Sequence, residues 1–212
     1  MTWTLAIDTS HVVAVGLAYD GAPRARVIVD DTRAHAEALM PSVLECCREA
    51  GIELSDVDEF VVGMGPGPFT GLRVGVATAW TLAHLAGREP HGVCSLDAVA
   101  VECDVDGEFV VAADARRKEL YWARYAADGT RLTDPQVSAP EELPSLPVAG
   151  AIPDAYRHLF TVVGPQALDP AVMAARWREL APAGTEPYYL RPADATVPGK
   201  PKSALPRVRA RR

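Results

Sequence analysis

With 212 residues, 49% of them hydrophobic and 23% charged, the chain can bury a sizeable core, which excludes disorder throughout. No apolar run approaches the roughly 18 residues that span a bilayer, and the opening MTWTLAIDTS lacks the basic region and cleavage site of a secretory leader, so a cytoplasmic protein without membrane contact is expected. The formal charge of −7 is uneven: the stretch from Lys200 onward holds six cations and no acid, leaving −13 on the body before it. So negative a body repels a phosphate backbone, and the tail is either a solvated end or the segment that reaches RNA.

In chain order, TLAIDTS, HVVAVGLAYDG and RARVIVDD read as three strands punctuated by turn residues such as Gly21 and Pro23. From about Arg33 to Ala50, the positions Leu39, Met40, Val43, Leu44 and Cys47 recur at helical spacing, Gly51 supplies a stop, and Pro41 either starts or kinks the helix. DEFVVGM is a strand running into the loop GPGPFTG, and a helix follows from about Gly71 to Ala86, with Thr70 the expected cap. HGVCS gives a short strand and LDAVAVEC a helix. The segment FVVAADARRKELYWARYAADG then repeats the plan of LAIDTSHVVAVGLAYDG: an acid at the end of an apolar strand (Asp8, Asp114), a polar turn, and a strand closing on Asp-Gly. This repeat predicts an N-terminal lobe over 1–105, a C-terminal lobe over 106–198, and a basic, disordered tail over 199–212. Prolines from 135 to 153 shorten the elements that follow, and a helix from about Pro170 to Leu180 and a strand at PYYLR complete an α/β chain.

The stretch GMGPGPFTGLRVG, Gly63 to Gly75, is a glycine-rich strand-to-helix turn of the kind whose N–H groups favour anions. It lacks the Gly-Lys-Ser/Thr of a P-loop and the dinucleotide glycine spacing, and Pro66 and Pro68 each remove a donor, so a rigid shape is the better reading. The helix after it is apolar nearly all round, with Arg73, Thr78, Thr81 and His84 its polar positions, which implies cover on a second surface. Gly75, Ala79 and Ala83 permit close approach of another helix, either the first helix of this chain or one of another subunit. On the second of these alternatives, the interface with the other subunit comprises Leu39, Val43, Leu44 and Cys47 with Leu72, Gly75, Val76, Ala79, Leu82 and Ala83. A bulky residue at 75 or 79 is expected to disturb docking while sparing the fold.

Asp8 and Asp114 are the acid candidates, with a turn or cap role competing. His11, His35, His84, His91 and His158 are scattered, and Leu39 stands four residues after His35, so no metal grip is expected. No serine lies in a nucleophile elbow, and Cys46, Cys47, Cys94 and Cys103 read as free thiols.

Taken in order, AIDTS, GMGPGPFTGLRVGVATA, CSLDAVA, DARRKELYWARY and PYYLR resemble the TsaB (YeaZ) family, from residue 4 to about 191. The resemblance implies an α/β fold of the actin-like ATPase (ASKHA) superfamily, with two related lobes of mixed β-sheets flanked by helices. It implies a non-catalytic scaffold and activator of the complex that adds threonylcarbamoyl to the adenosine next to the anticodon of tRNA. The implied partners are a TsaD-type catalytic subunit, gripped through helices of the first lobe, and a TsaE-type ATPase. A homodimer of the free chain stays open, and tRNA is reached through the complex or the basic tail. Actin-like ATPases carry Asp-x-Gly-x-Thr where this chain has Asp8-Thr9-Ser10-His11-Val12, without the glycine that lets phosphate approach. Leu39 interrupts the helical His-x-x-x-His that holds iron in catalytic relatives. Catalytic, cofactor-binding and metal-ligating residues are thus expected to be absent. Pro68 replaces the family's usual serine, and Arg116-Arg117-Lys118 is more basic than its usual turn. An independent actin-like ATPase or kinase and a glycoprotease-like metallopeptidase are the competing readings.

Overall fold

The computed structural model describes residues 1–30 and 35–191; the expected basic tail, the end of the second lobe and the helix start at Arg33 lie outside the described residues. β1 (Trp3–Asp8), β2 (Val13–Tyr19) and β3 (Ala22–Val29) form an antiparallel meander. Asp20 and Gly21 turn its second corner with φ of 49° and 74°, the left-handed backbone for which Asp-Gly is suited at hairpins. α1 (His35–Ala50) leads to β4 (Glu59–Gly63), which pairs parallel with β1. α2 (Phe69–Leu85) then leads to β5 (Pro90–Val93), parallel with β4. The sheet order is β3-β2-β1-β4-β5.

Alternation along these strands assigns the two faces. Leu5, Ile7, Val13, Val15, Leu17, Phe60 and Val62 form one core with Leu39, Val43 and Cys46 of α1 and Ala79, Leu82 and Ala83 of α2. Burying each large side chain there contributes about 1.5–3 kcal/mol. Small residues occupy the other face. Ala6, Ala18 and Val61 pack with Met173 and Ala174 of the later helix Pro170–Arg176, and a Cβ on Gly16 would enter the backbone of Pro170. Pro41 sits inside α1 rather than at its start; it is exposed, so the hydrogen bond it cannot make is missing on the helix's outer side.

After α3 (Ser95–Ala100), the second sheet repeats the first one's plan. β6 (Phe109–Asp114) pairs antiparallel with β7 (Leu120–Tyr125), β7 antiparallel with β8 (Gln136–Ser138), and β6 parallel with β9 (Val148–Ala149), in the order β8-β7-β6-β9. α4 (Asp154–Arg157) and α5 (Pro170–Arg176) follow. The α/β architecture with two mixed sheets expected from the sequence is the one observed. The helices, however, cross between the halves. α3 precedes residue 105 yet packs Leu96 and Val99 against Phe109 and Val111 of the second sheet, while α5 comes after it and covers the first.

Two local expectations fail. Thr70 does not cap α2, which starts at Phe69 with Pro68 at the N-cap and no side-chain cap bond. PYYLR is not a strand. Ala183 N–H donates to Gly92 (2.9 Å) and Tyr188 N–H to Met64 (2.8 Å), but Pro182 and Pro187 bring no N–H, and the ladder stops at an isolated bridge between Val93 and Pro182. Among the described residues, no helix is long and apolar enough to cross a membrane.

Candidate functional site

β1 ends at Asp8, and its carboxylate is consumed by its surroundings. Oδ1 accepts the Ser10 backbone N–H (2.8 Å) and the Ser10 hydroxyl (2.6 Å), an Asx turn with a second tie. Oδ2 accepts the hydroxyl of Ser95, the first residue of α3 (2.5 Å), and that hydroxyl in turn accepts the Gly65 N–H (3.1 Å). Next along, the Thr9 hydroxyl donates to the Gly71 carbonyl (2.8 Å). Asp8 is 3% exposed.

The glycine-rich loop is the bed of this turn. A Cβ on Gly63 would overlap the Asp8 carboxylate and one on Gly75 the Thr9 hydroxyl, while Cβ atoms on Gly67 and Gly71 would stand 2.6 and 2.7 Å from the Ser10 and Thr9 carbonyl oxygens. The glycines thus serve close packing of protein on protein. The cavity beside Asp8, lined by Ala14, Pro66, Leu96 and Ala112, is about 70 Å³, far below the roughly 300 Å³ at which ligand pockets begin.

The ten side chains expected at a partner interface do not share one surface. Leu39, Val43, Cys47, Leu72, Ala79, Leu82 and Ala83 are buried within the chain, and Gly75 presses on Thr9. The close approach that Gly75, Ala79 and Ala83 permit is to this chain's own sheet and Asp8 turn, so a bulky residue at 75 strikes the fold itself, contrary to the expectation. Val76 is half-buried and Leu44 is 55% exposed. A different set faces outward. Arg73, Val76, Ala77, Trp80 and His84 recur at three- and four-residue spacing on the outer side of α2, with Trp80 41% exposed, and Leu85 is 79% exposed at the helix end. The missed signal was Trp80 itself: a large aromatic in phase with the polar positions Arg73 and His84 rather than with the small-residue stripe.

At the end of β6, Asp114 repeats the Asx turn of Asp8, accepting the Arg116 N–H at 2.8 Å. Here the resemblance ends. Arg116 also pairs with the carboxylate at 3.3 Å, and Arg116, Arg117 and Lys118 all take left-handed backbone, with φ of 61°, 52° and 64°. For non-glycine residues each such conformation costs on the order of 1–2 kcal/mol. The turn borders an open cleft of about 460 Å³ lined also by His11, His35, Glu37, Thr70 and Gly71. Among the described residues, no group of three or more His, Cys, Asp or Glu could hold a metal.

A buried polar node joins α3 to the second sheet. The Tyr125 hydroxyl donates to Asp97 (2.7 Å) and Arg131 stands 3.5 Å from the same carboxylate. Burial holds the Asp97 carboxyl above the usual carboxylate range, against the opposing pull of Tyr125 and Arg131. All four cysteines are free. Burial pushes Cys46 and Cys94 up to about 12 and Cys103 up to about 11, and raises Cys47 as well, which disfavours the reactive thiolate form.

Several known proteins are similar to this chain. A family model described as TsaD, tRNA N6-adenosine threonylcarbamoyltransferase, matches residues 29–168. An uncharacterized protein of Mycobacterium tuberculosis is 43% identical over 199 residues, covering 90% of this chain and 92% of its own. The tRNA threonylcarbamoyladenosine biosynthesis protein TsaB of Escherichia coli is 34% identical over 128 residues, 58% of this chain and 55% of that one. YeaZ from Pseudomonas aeruginosa superimposes with a TM-score of 0.69 at 26% identity, over 90% of this chain and 100% of that chain. The chain belongs to the TsaB (YeaZ) family. In this TsaB-family member, the closed Asp8 turn and the outward Trp80 face are set at opposite sides of α2, one pressed on the sheet and the other facing away from it.

Proposed function

We propose that this chain is a non-catalytic subunit of tRNA threonylcarbamoyladenosine biosynthesis, working in the cytoplasm as scaffold and activator of a TsaD-type catalytic subunit, with a TsaE-type ATPase as third component. The observation that carries this reading is the Asp8 turn. The acid that an actin-like ATPase would turn toward nucleotide is spent on Ser10 and Ser95, over a glycine bed with no room for phosphate. What the first sheet offers outward is hydrophobic: Leu44 on α1, and Trp80 and Leu85 on α2. Exposed aromatic and aliphatic anchors on two helices of one layer are suited to a protein partner. The buried members of the expected interface, from Leu39 to Ala83, support that face from behind. In the free chain the same face is open to a second copy.

The test is reconstitution: tRNA, threonine, bicarbonate and ATP with the catalytic and ATPase subunits and the threonylcarbamoyl-adenylate-forming enzyme, with and without this chain, scoring modified nucleoside by mass. Modification that depends on this chain is expected. Trp80→Ser with Leu85→Ser should lower affinity for the catalytic subunit about ten- to a hundredfold while moving the chain's own urea midpoint little. ATP turnover or transfer by the chain alone would overturn the reading.

A further inference from the structure

The body before Lys200 carries −13, yet the 17 residues of α2 include no Asp or Glu. On its outward side Arg73 shares a stripe with Ala77 and Trp80. Phe69 stands one turn earlier, and the Arg73 guanidinium lies over its ring, 3.8 Å from the centre. An aromatic ring holds a planar guanidinium by its face and leaves the fork of N–H donors at its edge open. Arg73 is exposed, and among the described residues no carboxylate pairs with it. Tyr189 meets the same Phe69 ring at 4.9 Å between centres and is 39% exposed. Anchors on both sides fix its place. Tyr188 donates its N–H to the Met64 carbonyl (2.8 Å) and accepts from Arg131 at its hydroxyl (3.2 Å). Arg191 donates to the Ala115 carbonyl (2.7 Å) and pairs with Glu119. Tyr189, Phe69 and Trp80 thus give α2 an aromatic border, with one unspent cation held inside it.

Resting on the partner reading above, we propose that Arg73 selects the occupant of this face: the catalytic subunit presents a carboxylate to the Arg73 fork, flanked by aliphatic groups that cover Tyr189 and Trp80. The chemistry fits that occupant in both parts. A carboxylate matches the two parallel N–H donors of a guanidinium, and apolar cover over the aromatic border keeps water from the ion pair and strengthens it. The stack on Phe69 already restricts the Arg73 side chain, so less freedom is lost on docking. α2 of a second copy brings no carboxylate to this place, which favours a different chain over self-association through this helix. The acidic body likewise disfavours a phosphate backbone as the anion.

The experiment titrates the full chain with the TsaD-type subunit in a calorimeter, without RNA. Arg73→Gln should raise Kd about tenfold or more while leaving the chain's own urea midpoint in place. Arg73→Lys keeps the charge but not the fork and should recover only part of the loss. Added salt should weaken the parent more steeply than Arg73→Gln. Arg73→Glu should abolish measurable binding, and changing one Asp or Glu of the catalytic subunit to Arg should restore it. Arg24→Gln, the same charge loss elsewhere, should leave Kd unchanged. A parent that binds and an Arg73→Gln variant that binds equally well sink the inference and leave the functional reading standing. A catalytic subunit that does not bind the parent removes both. If Arg73→Gln instead weakens labelled tRNA binding or self-association, with affinity for the catalytic subunit intact, the cation belongs to RNA or to a second copy and the inference is overturned.

Discussion

Asp8 and Asp114 occupy the same place in two copies of one topology, at the end of the first strand of each sheet, and each accepts the N–H two residues on. The first has become a lock: Ser10 and Ser95 absorb its carboxylate, and four glycines press on the turn. The second has become a display, with three left-handed cations held out at a cleft. The first position is closed because the loop facing it meets the turn with glycines, which have no side chains to keep it away; among the described residues, no such glycine bed lies against the second.

The widest gap between the two turns is expected in stability. Asp8→Ala strands the Ser10 and Ser95 donors in a buried site and should cost about 3–5 kcal/mol, from charge-assisted hydrogen bonds at about 1.5–3 kcal/mol each. Asp114→Ala, in a half-exposed pair, should cost no more than about 1 kcal/mol. Urea unfolding of the two variants measures both, and equal losses would erase the distinction. Gly75→Leu comes next. Its side chain must enter the space of the Thr9 hydroxyl, so a loss of about 1–3 kcal/mol or more is expected, with partner binding failing only as the fold does. A stable variant that no longer binds the partner would return Gly75 to the interface.

The smallest effect concerns α3, which brings Ser95 to Asp8 and is anchored by Asp97. A carboxyl raised by burial holds its proton more tightly folded than unfolded. Its contribution is therefore full below the ordinary aspartate value of about 3.9 and is lost as pH climbs through the raised folded value. Relative to Asp97→Asn, the parent chain should lose stability as pH rises from about 4. A difference in urea midpoint that stays flat over that rise would show that Tyr125 and Arg131 fully offset the burial.

How much of this could be read from residues alone follows the range of the interactions. The hairpins around Asp8 and Asp114 were legible because Asp-Gly corners and period-2 alternation act within a few positions, and the repeat of that local pattern disclosed the related sheets. The small-residue stripe of α2 was legible as a close contact but not as a contact with Thr9, since spacing says how near a neighbour comes and not which neighbour it is. Ser95 was passed over because its partner lies 87 residues away, and a serine after a short strand carries no mark of that bond. The PYYLR segment misled because aromatic residues favour strands, while the prolines before it remove the donors that a ladder needs.

The crossing of α3 and α5 between the halves has a mechanical consequence. Were the sheets to swing apart as two jaws, α5 would have to peel from the Gly16 surface while α3 stayed with β6, tearing Ser95 from Asp8 at the hinge. A body braced in this way resists the nucleotide-driven opening and shutting for which a cleft between two lobes is otherwise suited. The two sheets are therefore expected to move as one body.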